Sequence, residues 1–204
     1  MVDLKPIVVF ALGVLAGRLS LGLEGPLVGW LGLIDVKSIL CALFLAIGIE
    51  VGKDERFWGY LRGIRGLAIL LPLFSLLGSM AGGVLSSLLL GVPLPLSLAS
   101  SAGSGYYSLT TLLLKEMAGP AEATYGMVLN MARELMVIAL MPLLVRIFGK
   151  WGAVGAGGAT AMDTTLPFVV RSAGPEVAMF SFYSGAVITL VVPLLVPFLY
   201  RFFS

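Results

Sequence analysis

Apolar runs longer than eighteen residues recur along this chain, and no water-soluble domain accommodates several of them. Of its 204 residues 59% are hydrophobic and only 12% charged, about half the charged share of a soluble domain. The sequence therefore describes an integral membrane protein. Apolar spans are expected at Pro6–Leu23, Ser38–Val51, Gly63–Leu90, Ala121–Phe148 and Val177–Phe203. The first carries Gly13 and Gly17 at a spacing suited to close helix contact. Arg18 interrupts it within snorkelling reach of an interface, and no small-residue cleavage site follows. It reads as a span and not as a signal peptide. Gly78, Gly82 and Gly83 are expected to let the third span pack closely on its neighbours. Cys41 lies alone in an apolar run and reads as packing.

Two stretches depart from this pattern. The centre of 96–114 is SSAGSGYYSLTT, and 153–175 reads AVGAGGATAMDTTLPFVVRSAGP. They are related by a constant offset of 55 residues: Gly103 falls on Gly158, Ala118-Gly119-Pro120 on Ala173-Gly174-Pro175, and Pro142 on Pro197. Ser108 falls opposite Asp163. Each unit is a polar, Gly-rich segment followed by one long apolar helix. If the polar segments return to their own side, the two units have opposite orientations, the inverted-repeat plan of many secondary transporters. If they span fully, the units are parallel. Lys and Arg counts favour the re-entrant form slightly, with the N-terminus and the basic 52–65 loop on the cytoplasmic side.

The polar residues inside these apolar segments carry the chemistry. Glu134 lies near the middle of a span, where an ionisable group costs roughly 2.5 kcal/mol or more. Asn130 shares its face, four residues away, and Arg133 sits about 100° round. Arg133 either neutralises Glu134 in a structural cluster, or partners a carboxylate that holds a cation or proton in a water-filled cavity. Asp163 follows Gly155, Gly157 and Gly158 and is flanked by Thr160, Thr164 and Thr165. Backbone that leaves the helix at membrane depth must be buried in protein or line a cavity. Its free N–H groups attract anions, while carbonyls and carboxylates attract cations. Asp163 otherwise reads as a local cap. Gly103, Ser104, Gly105, Tyr107 and Ser108 repeat that setting in the first unit, and Glu50 adds a weaker candidate between Gly48 and Gly52. The chain has no histidine, which removes Ser-His and Cys-His catalysis and leaves carboxylates as the titrating groups.

Four segments, FLAIGIEVG (44–52), SSAGSGYYSLTTLLLKEMAGP (100–120), NMARELMVIALMP (130–142) and GGATAMDTTLP (157–167), resemble the LysO-type lysine exporters in order and spacing. The likeness covers about four fifths of the chain. It implies export of L-lysine and its analogues across the cytoplasmic membrane. A required intramembrane acid of that family falls on Glu134, and the Asp of its second motif on Asp163. Longer members carry about three further N-terminal helices with another acidic membrane residue. The resemblance therefore implies a homodimer, a separately encoded helical partner, or a short form acting alone.

The expected molecule is an all-α polytopic membrane protein with about five full spans and two re-entrant or broken helices. Residues 1–95 are scaffold helices, and 96–204 form a transport core of two units, 96–150 and 151–204. It exports lysine, with protons or Na⁺ as the coupling ion, and needs no cofactor and no metal. Glu134 and Asp163 serve the cation or proton. Backbone N–H groups at Gly103, Ser104 and Gly105, and at Gly157, Gly158, Ala159 and Thr160, receive the α-carboxylate, and Tyr107, Ser108, Asn130 and Thr164 orient the ligand. The same residues suit a cation/proton antiporter. A non-transporting subunit of a membrane complex is the competing class.

Overall fold

A computed structural model describes residues 70–204, together with Ile49 and Lys53. The first two expected spans, Cys41 and Glu50 lie outside the described residues. Within them the chain is helical throughout, with turns and no strand. Helix α1 is Leu71–Leu90, α2 Leu94–Ala102 and α3 Tyr107–Met117. Helix α4 is Pro120–Gly157, α5 Leu166–Ala173 and α6 Ala178–Phe203, with 3-10 turns at Gly158–Met162 and Pro175–Val177.

Proline and glycine set these limits. Pro72 and Pro120 sit in the first turns of α1 and α4, where a missing N–H costs nothing. Gly91, left-handed at φ 68°, closes α1 by donating to Ser87 O. Helix α4 is two limbs: Gly149 at φ 71°, ψ −177° breaks it where the 121–148 apolar run ends. The glycines of the two Ala-Gly-Pro triplets, Gly119 and Gly174, share one unusual conformation, φ 120° and ψ 178° against φ 102° and ψ 158°. A side chain there would be strained, so each triplet ends one helix and aims the next.

Among the described residues three helical stretches are long and apolar enough to cross a membrane: Leu71–Leu90, Pro120–Met162 and Pro175–Phe203. The last is the most enclosed and forms the centre, whereas α1 and α4 turn apolar faces such as Leu73, Leu77, Leu88, Leu135 and Leu143 outward. Outward leucines fit a lipid solvent. By contrast α2, α3 and α5 have 9, 11 and 8 residues. At about 1.5 Å per residue each covers about half of a ~30 Å hydrocarbon layer.

The short helices turn back on themselves. Ser97 Oγ donates to Gly83 O at 2.7 Å, and Ser104 Oγ meets Ser79 Oγ at 3.2 Å, so α2 runs back along α1. Ser79 is near the middle of α1, which puts the first tip at mid-height. Asn130 of α4 binds that same tip, while Leu71 packs against the core that holds Met141 of α4. Helices α1 and α4 therefore run antiparallel. In the second pair, Ala153 and Val154 share a core with Val169, Ala173 and Val177. Lys150 and Glu176 form an ion pair across its base. Both of its groups are more than half exposed, so the pair marks geometry and contributes little stability.

One expectation about packing needs correcting. Of the three α1 glycines only Gly83 packs against a neighbour, with a would-be Cβ 2.9 Å from Ser101 Oγ. Gly78 and Gly82 have open space beside them and line a cavity.

Candidate functional site

The two Gly-rich tips meet. Ala159 N donates to Ser104 O at 2.8 Å, a backbone bond between segments 55 residues apart. Two glycines and one strained serine make this approach possible. Ser104 is left-handed at φ 52° and Gly105 follows at φ 98°. Gly158, at φ 61° and ψ −135°, lies against Ser104 O and leaves no room for a Cβ. Gly105 faces Thr160, whose Cγ2 would be 3.3 Å from a side chain there.

Each long helix cradles the tip of its own unit. Asn130 is fully buried and makes three bonds: Oδ1 accepts from Gly105 N at 2.8 Å, and Nδ2 donates to Ser100 O and Gly126 O at 2.8 and 2.9 Å. One residue thereby satisfies groups that the helix break strands away from water. Asn130→Ala is expected to destabilise the protein by about 2–3 kcal/mol, since the broken turn keeps an unpaired N–H and C=O. Thermal unfolding in detergent measures this. At the 55-residue equivalent position, Gly185 of α6 lets the second tip approach, with Met162 N and Ala159 O 2.5 and 2.8 Å from a would-be Cβ. Ser181 Oγ donates to Ala161 O at 2.8 Å from the same face.

Helix α1 touches both tips. Ser75 Oγ donates to Gly155 O at 2.6 Å, and Ser79, one turn on, meets Ser104. These two serines, Gly126, Ser181 and Gly185 were missed from the sequence. Their only signal was small residues four apart: Ser75 with Ser79, and Ser181 with Gly185.

The junction thus unites Gly103, Ser104, Gly105, Asn130, Gly158, Ala159 and Thr160, and Arg133 joins them. Its Nη2 donates to Ala156 O at 3.0 Å, and Nη1 would be 3.4 Å from a Cβ on Gly105. Arg133 does not pair with Glu134. Glu134 is half-buried on the face of Asn130, one turn away, and has no hydrogen bond or ion pair among the described residues. Asp163 is exposed beside the second tip, where Oδ1 accepts from Thr164 N at 2.6 Å and from Thr164 Oγ1 at 3.1 Å. Tyr107 and Ser108 are exposed at the start of α3, away from the tip contact. The tip amides are already committed: Gly103 N to Ala99 O, Ser104 N to Ser101 O, Gly105 N to Asn130, Gly158 N to Gly155 O and Ala159 N to Ser104 O.

Beside the junction lies a cavity of about 1160 Å³ between α1, α4 and the start of α6. Its walls are mostly apolar, with Arg133 the sole ionisable residue among those described. No cluster of three or more potential metal ligands occurs among the described residues.

The lysine exporter LysO family matches residues 7–200. The chain belongs to this family. Lysine exporter LysO of Escherichia coli (strain K12) is 37% identical over 120 residues, 59% of this chain and 40% of that protein. A putative lysine exporter of Haemophilus influenzae (strain ATCC 51907 / DSM 11121 / KW20 / Rd) is 36% identical over 126 residues, 62% of this chain and 64% of that protein. The matches thus cover less than two thirds of either relative. No solved structure matches the chain. Family membership and the three described helices of spanning length make the chain a multi-pass membrane protein.

Proposed function

We propose that this protein is a secondary transporter of the cell membrane that exports L-lysine and close analogues in exchange for protons, with its N-terminus in the cytoplasm. Two tips that meet at mid-height, with Glu134, unbonded among the described residues, one turn from the residue that pins the first, carry this reading. Glu134 and Asp163 hold the ammonium groups of lysine or take up protons. Occupancy of a carboxylate by one excludes the other, which suffices for exchange. Thr160 and Thr164 shape the polar wall beside the second tip, and Asn130 holds the first tip in place.

We further infer that 96–150 and 151–204 form an inverted repeat. The equivalent conformations of Gly119 and Gly174, and the equivalent roles of Asn130 and Gly185 against their tips, support it. Helices in such a repeat rock about a fixed midplane site, so access alternates between the two sides.

The test is flux in proteoliposomes with an imposed pH gradient, lysine against Na⁺. Lysine movement driven by the gradient, without Na⁺ movement, is expected. Na⁺/proton exchange with no lysine flux would replace this reading by that of a cation antiporter.

A further inference from the structure

We propose that Arg133 is the anchor for the α-carboxylate of the transported amino acid, an inference that rests on the export reading above. A guanidinium offers five N–H donors. Among the described residues one is used, the bond to Ala156 O, and no carboxylate pairs with the group. Among the described residues the cavity it borders supplies no other charge: Leu71, Phe74, Leu129, Met136 and Phe180 form much of its wall. An uncompensated cation against apolar walls at membrane depth is costly, and an incoming anion relieves that cost.

The surroundings make room for this head group. A Cβ on Gly158 would lie 2.5 Å from Nη1 and 2.9 Å from Nη2, so the glycine at the second tip is also what admits the guanidinium. Gly105 flanks it from the first tip. The backbone amides of Gly103, Ser104, Gly105, Gly158 and Ala159 are already bonded, and the guanidinium is the charged donor at this junction. Glu134 is the next residue, pointing about 100° away along the same helix. A zwitterion with a side-chain ammonium fits this division, with its anionic end on Arg133 and a cationic end on the carboxylates. A planar fork binds a carboxylate through two parallel bonds, which a lysine side chain cannot reproduce.

Arg133 also caps a helix end through Ala156 O, so its test must separate binding from structure. The full chain is reconstituted and labelled lysine counterflow is competed with unlabelled lysine or with pentane-1,5-diamine, which keeps two amines and lacks the carboxylate. Wild type is expected to prefer lysine about 10- to 100-fold, the worth of charge-assisted hydrogen bonds. In Arg133→Gln the preference collapses toward unity because lysine binding weakens while diamine binding does not. Arg133→Lys, which keeps the charge and a donor for Ala156 O, is intermediate. If neither variant transports, the thermal shift each ligand gives the purified protein reads the same ratio. An unchanged ratio in both variants overturns the proposal, as does equal weakening of both ligands, which marks a structural cap or an anionic lipid headgroup. Absence of lysine counterflow in wild type overturns the export reading itself, and this inference with it.

Discussion

Glu134→Gln is expected to lower lysine export by on the order of 10²-fold or more while leaving the protein as stable as wild type. The substitution keeps the shape and removes only the charge. Because Glu134 makes no hydrogen bond or ion pair among the described residues, folding there does not depend on its ionised form. A carboxylate left unpaired in a span has been retained against a cost of roughly 2.5 kcal/mol or more. Under the export account, that cost is offset when a cation or proton arrives. Removing one partner of a desolvated charge pair weakens binding by about 2–5 kcal/mol, which sets the size of the loss. Counterflow of labelled lysine at matched protein levels measures it. Full activity in Glu134→Gln would remove Glu134 from the site.

Gly158→Ala is expected to be the most damaging small substitution in the described chain. At φ 61° and ψ −135° an L side chain is strained, at about 1–3 kcal/mol. The added methyl would also meet Ser104 O and the guanidinium of Arg133, and overpacking costs about 1–3 kcal/mol more. Neither neighbour gives way freely: Ser104 O accepts the bond that joins the tips, and Arg133 is held by Ala156 O. Thermal unfolding should fall by the sum, roughly 2–6 kcal/mol, and transport should be lost. Gly78→Ala is the control. Nothing lies within 4 Å of its would-be Cβ, so stability should hold.

Much of the architecture was legible in the sequence, because a membrane leaves few choices. The apolar runs 121–148 and 177–203 correspond to the first limb of α4, ending at Gly149, and to α6, Ala178–Phe203. Hydrophobic length alone sets those limits. The clustered glycines and hydroxyls marked both breaks, since unwound backbone must find internal partners. The Ala-Gly-Pro triplets marked equivalent corners, because their conformation excludes other residues.

Side-chain direction was less legible. Arg133 and Glu134 adjoin in sequence, which suggests a pair, but successive residues diverge by about 100° on a helix. The long arm of Arg133 instead reaches Ala156, 23 residues on. The tip amides looked like open anion sites, yet most are consumed by contacts between segments distant in sequence. Ser75 and Ser79 passed as ordinary small residues of a span, because their partners are set by the tertiary fold.

The most direct test of the account is a reversible lock across the tips. Cysteines in place of Ser104 and Ala159, with Cys41 replaced by Ser, adjoin the backbone bond that joins the two hairpins. Mild oxidation in the membrane is expected to cross-link the pair within one chain and stop lysine flux, and reduction to restore it. No cross-link, or unchanged flux through the cross-linked protein, would contradict a transport site at the meeting of the two tips.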